Sequence, residues 1–138
     1  MAQSKGQHVF FLNSTDSLNI WSDNRPFSFT CELPEKVRLK GRWICALYSV
    51  SFQERVSVPL VVTSDVCESS VIQNERHAVL QVIPQNSGRH ISFNNLLWFD
   101  VSLDEIERIK LFIRTSNLDE ASFLTKPVTC ALVLRRVS

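Results

Sequence analysis

Three histidines, four cysteines and two pairs of neighbouring carboxylates are the side chains of this 138-residue chain whose types suit bond-making chemistry. Their spacing does not suit it. His8, His77 and His90 stand far apart, with no His-x-His pair and no cysteine at zinc-like spacing, so no metal site is expected. Cys31, Cys45, Cys67 and Cys130 contain no C-x-x-C pair, and three of them fall inside apolar runs, where a thiol behaves as a small hydrophobe. A disulfide framework is therefore not expected, and a reducing compartment is. Asp104-Glu105 and Asp119-Glu120 are adjacent, and neighbours on a chain do not converge on one substrate atom. There is no G-x-S-x-G, and three glycines in all cannot build a phosphate-cradling loop. The chain is expected to be no enzyme, with no catalytic residue and no cofactor.

Charge points the same way. Fifteen basic residues against fourteen acidic ones leave a net charge of +1, so no nucleic-acid partner is expected. Lys36, Arg38 and Lys40 alternate in a way that could touch phosphates, but charges of this kind also keep a sheet edge soluble. No apolar stretch approaches the roughly eighteen residues of a membrane span. The stretch from Met1 to Gln7 is polar, a short arm without the apolar segment of a secretory signal. Asn13-Ser14-Thr15 matches a glycosylation acceptor and is read as a turn. With 44% hydrophobic and 21% charged residues, residues 1–138 make one globular domain.

The elements that must position these residues are strands. Trp43-Ile44-Cys45-Ala46-Leu47-Tyr48-Ser49-Val50-Ser51-Phe52 follows Gly41 with only Arg42 as a charge, and its composition fits a central strand covered on both faces. Phe27, Phe29, Cys31 and Leu33 alternate with polar residues, which is a half-buried strand closed by Pro34. Further runs lie at His8–Leu12, Pro59–Cys67, His77–Ile83, Arg89–Phe99 (interrupted near Asn94-Asn95), Ile109–Arg114 and Val128–Arg135. Glu68 to Arg76 reads as a loop, and Ser102-Leu103-Asp104-Glu105 matches a capping box that predicts one helical turn. Eight short strands with turn signals between them predict an all-β, eight-stranded antiparallel sandwich or barrel.

The order and wording of these strands resemble the penton (minor capsid) proteins of Polinton/Maverick elements and adintoviruses. Phe10-Phe11-Leu12-Asn13-Ser14 resembles the family's opening strand and serine-rich turn, and Asn24-Arg25-Pro26-Phe27-Ser28-Phe29 its second strand. Leu39-Lys40-Gly41-Arg42-Trp43-Ile44-Cys45-Ala46-Leu47 looks like its leucine–x–glycine–x–tryptophan, two residues, alanine–leucine signature. Leu80-Gln81-Val82-Ile83-Pro84 and Leu132-Val133-Leu134-Arg135-Arg136 resemble later strands. The resemblance implies a single jelly roll in the virion, forming a homopentamer at the capsid vertex beside a double jelly-roll major capsid protein. A closed ring needs two different matching faces. Large apolar residues in or beside loops are the interface candidates: Phe52, Val56, Ile72, Trp98 and Phe123. The alternative is a non-viral β-sandwich binding module, lectin-like or a trimeric ligand domain.

Overall fold

A computed structural model of the chain describes residues 6–66, 70–72, 75–77, 79–84, 89–101, 103–117 and 119–137. Its elements are all strands: β1 (Gln7–Asn13), β2 (Ser28–Arg38), β3 (Trp43–Phe52), β4 (Leu60–Ser64), β5 (Ser70–Ile72), β6 (Glu75–His77), β7 (Val79–Ile83), β8 (His90–Ser92), β9 (Phe99–Asp100), β10 (Glu105–Thr115) and β11 (Val128–Arg136). The first sheet has the order β1-β11-β3-β8, with β9 pairing β3 beyond β8, and the second has the order β2-β10-β4-β7. β5 and β6 form a separate hairpin. Counted outwards from mid-chain, β4 pairs β7, β3 pairs β8 and β9, β2 pairs β10, and β1 pairs β11, all antiparallel. That nesting is one long hairpin wound on itself, the eight-stranded jelly roll. β8 and β9 share one edge position, and the β5–β6 hairpin is an addition to the eight.

The core lies between the sheets. Leu12, Cys45, Leu47, Val50, Phe52, Cys130, Leu132 and Leu134 face it from the first sheet; Phe29, Cys31, Leu60, Val62, Ile83, Ile106, Ile109, Leu111 and Ile113 face it from the second. Each buried aliphatic side chain contributes about 1.5–3 kcal/mol over its exposed state. Burial pushes the Cys130 thiol up to about 12 and the Cys31 thiol to about 11, so both stay protonated hydrophobes. Val56, Val66, Ala121 and Leu124 fill the core from the loops.

Several expectations need correction. β2 does not end at Pro34 but runs on to Arg38. It is an edge strand, where proline is tolerated. β2 itself bulges around Pro34: Leu33 to Lys36 lie opposite Glu107 alone, so the ladder steps from Glu32↔Arg108 to Val37↔Ile106. The capping pattern before β10 opens no helix, because Glu105 already pairs with Arg38 in β10. The apolar residues that follow, Ile109, Leu111 and Ile113, keep the period of a strand. Part of the expected 68–76 loop is the β5–β6 hairpin. Gly41 does mark the turn into β3, with φ +86°, a conformation side chains with a Cβ rarely adopt.

Candidate functional site

The register of the first sheet sets its outward side chains in rows across β1, β11 and β3. Gln7, Arg135 and Ile44 make the first row, continued by Asp100 of β9. Val9, Val133 and Ala46 make the second, and Phe11, Ala131 and Ser49 the third. Asn13, Thr129 and Ser51 make the fourth, with His90 of β8 beyond. Tyr48 is the extra residue where the β3–β11 register shifts, and it stands beside the third row.

The two middle rows are an apolar band. Ala46, Ala131 and Val133 form its buried floor. Above it Phe11 is 72% exposed, Tyr48 49% and Val9 43%. The outer rows are polar. In one, Arg42 pairs with Asp100 at 3.2 Å and the Arg135 guanidinium lies 4.5 Å from the centre of the Trp98 ring. In the other, Asn13 Nδ2 donates to Thr129 Oγ1 at 2.7 Å, and His90 sits between Ser51 Oγ at 2.5 Å and Ser92 Oγ at 3.3 Å. The local cause is in the sequence: Val9-Phe10-Phe11-Leu12 and Ala131-Leu132-Val133-Leu134 are apolar at successive positions, so both faces of these strands are apolar. Antiparallel sheets commonly keep one face polar and wet.

The second sheet follows that custom. On its outer side Arg108 Nε donates to Glu32 Oε1 at 2.7 Å, and Trp21 Nε1 donates to the same oxygen at 3.1 Å. The guanidinium beside it holds the Glu32 carboxyl below the usual carboxylate range. Lys36 bridges Glu105 and Glu107, and Lys110 and Arg114 flank the Phe112 ring at 4.8 and 5.1 Å. The alternating cations of the sequence thus guard a sheet edge.

The interface candidates separate. Phe52 and Val56 are core side chains, 4% and 7% exposed, so they present no surface to a neighbour; β3 carries Phe52 inward opposite Val128. The side chain of Ile72 lies outside the described residues, as does Cys67. Trp98 is half-buried at the rim of the apolar band, and Phe123 is exposed in the loop before β11. The expected double cover of β3 is half present, because among the described residues no layer lies over the exposed Tyr48. Val9, Phe11 and Tyr48 were not among the candidates. The signal that finds them is the missing alternation in strands that lie within one sheet.

Elsewhere the chemistry is sparse. His8 stacks on Trp43 at 5.4 Å and on Phe10 at 6.0 Å. Among the described residues, no three His, Cys, Asp or Glu side chains converge to hold a metal ion. A shallow, open cleft of about 320 Å³ is lined by Gly41, Arg42, Trp43 and Asp100, among others, and is polar. No helix among the described residues is long and apolar enough to cross a membrane.

No family model and no curated protein matches the chain. Among solved structures it is similar to the Drosophila NLP-core, whose crystal structure is described as giving insight into pentamer formation and histone binding. The identity is 7%, over 96% of this chain and 99% of that one, with a TM-score of 0.39. Pentamers and histones are properties of that protein, and a similarity at this level assigns no family.

Proposed function

We propose that the chain is a structural capsid protein, a single jelly-roll subunit that assembles as a homopentamer at the capsid vertex and meets a double jelly-roll major capsid protein there. The observation that carries this reading is the apolar band on the outer side of the first sheet, bounded on both sides by polar rows. Apolar centre and polar rim are the anatomy of a protein-contact surface, and a flat sheet face suits a protein better than a small molecule. The penton-like signature supports it from the sequence. Leu39 to Leu47 form the β2–β3 turn and the start of β3, which places Ala46 in the floor of the band. A net charge of +1 lets copies crowd together without strong repulsion.

Light scattering of the purified chain, followed by co-purification with a double jelly-roll major capsid protein, tests the reading. The expected results are a mass five times the 15.8 kDa subunit and a stable complex with the capsid protein. A threefold mass with no capsid-protein complex overturns it in favour of the ligand-domain alternative.

A further inference from the structure

We infer that the apolar band and the free edge of β1 beside it are covered by a second copy of this chain, so that Val9, Phe11 and Tyr48 form the subunit–subunit contact. This rests on the assembling-subunit reading above and names the surface and its occupant.

The two sheets have four edges, one of them shared by β8 and β9, and three are guarded. β2 carries Pro34, Glu35 and Lys36, and its outer backbone is already occupied: Asn24 Nδ2 donates to the Thr30 carbonyl at 2.8 Å, Asn24 Oδ1 accepts from Thr30 N at 2.9 Å, and Ser17 Oγ accepts from Glu32 N at 2.9 Å. β7 is five residues long and is followed by Pro84. β8 and β9 are pieces of three and two residues. β1 has such a guard only at its last residue, where Asp16 Oδ2 accepts from Asn13 N at 3.1 Å, among the described residues. It pairs with β11 through all seven residues without a bulge, and Gln7–Asn13 contains no proline and neither an acidic residue nor Lys or Arg. Among the described residues, no group bonds to the other side of the backbone from Val9 to Leu12. A long, uncharged, apolar edge invites pairing with another chain, and proteins that stay monomeric blunt such edges.

Size and composition select the occupant. Phe11, Tyr48 and Val9 leave about 300 Å² of side chain exposed, taking roughly 150–250 Å² for a whole aromatic side chain and their fractional exposures. One side of a standard interface holds roughly 450 Å² of apolar area, and Trp98, against Arg135 at the rim, extends the band towards it. Transient interfaces are no more apolar than ordinary surface, whereas contacts between copies in permanent homo-oligomers are. An uncharged band with an apolar floor belongs to the second kind.

The test is the solution mass of the wild-type chain, Phe11→Glu and Tyr48→Glu, each checked for folding by circular dichroism and melting. Both side chains are exposed in the subunit, so both variants are expected to keep the wild-type circular dichroism spectrum and a cooperative melt, at a lower temperature because assembly no longer stabilises the fold, while their mass falls to that of one subunit. Either variant suffices if the other fails to fold. A folded variant that keeps the wild-type mass overturns the assignment. So does a wild-type chain that stays monomeric up to roughly 1 mM, the limit of weak specific binding. Co-purification of that monomer with a major capsid protein would leave the vertex reading standing while this inference fell.

Discussion

On the outer side of the second sheet, Glu32, Arg108 and Trp21 hold one another, Lys36 spans two glutamates, and Asn24 and Ser17 bond the edge backbone of β2. On the outer side of the first sheet, Phe11, Tyr48 and Val9 stand in solvent over a floor of alanine and valine, and among the described residues nothing bonds the outer backbone of β1 from Val9 to Leu12. The two sheets face the same core with similar side chains, so the contrast is not about folding the subunit. It concerns what each outer face meets: the second sheet is finished for water, and the first leaves apolar side chains unpartnered among the described residues. Charged side chains and a loop finish the second sheet; in the proposed assembly a second subunit finishes the first.

If the sheets are equivalent inside, truncation should cost the same on either. Leu132→Ala in β11 and Leu111→Ala in β10, both fully buried, should each lose about 2–5 kcal/mol in urea unfolding. A large inequality would move the asymmetry into the core and break the comparison. The guarded edge comes next. Asn24→Ala strips a buried donor and acceptor from Thr30 and should cost about 2 kcal/mol, measured in the same way. From Val9 to Leu12, β1 has no counterpart to remove among the described residues.

The thiols sharpen the view of the shared interior. Cys31 of the second sheet and Cys130 of the first have folded-state values raised to about 11 and about 12 from 9.0. A group raised on folding stabilises below its unfolded value and stops doing so above it. Stability should therefore hold to about pH 9 and fall as pH rises towards 11 and 12. Alkylation read by peptide mass should leave both thiols unmodified in the folded chain at pH 8 and modify both in urea. The smallest effect belongs to the exposed ion pair. Arg108→Ala should leave the melting temperature within error at physiological salt, because a solvated pair contributes little. A clear drop would mean that charge stabilises the second sheet rather than merely keeping it wet.

Much of this was legible in the residues. Period-two patterns located the principal strands, and Phe29/Cys31 and Ile109/Leu111/Ile113 show which side is core. Pro34 misled because a proline's effect depends on whether its strand lies at an edge, and edge position is set by pairing with a strand over seventy residues away. Ser102–Glu105 misled because a cap signal acts only where helical periodicity follows. Phe52 and Val56 were placed at a surface by their position after a strand, although β3 continues inward through Phe52. Phe11 and Tyr48 went unnoticed for the opposite reason. Apolar runs without alternation do not tell which face meets the opposing sheet, and only the register of β1, β11 and β3 brings these residues into one band.

The most direct measurement is hydroxyl-radical footprinting of the purified chain as dilute subunit and as concentrated assembly, reading Phe11, Tyr48 and Val82 together. Val82 is 50% exposed on the outer side of the second sheet and serves as the control. The account expects Phe11 and Tyr48 to lose reactivity on assembly while Val82 keeps it. Phe11 and Tyr48 remaining as reactive in the assembly as in the subunit would contradict it.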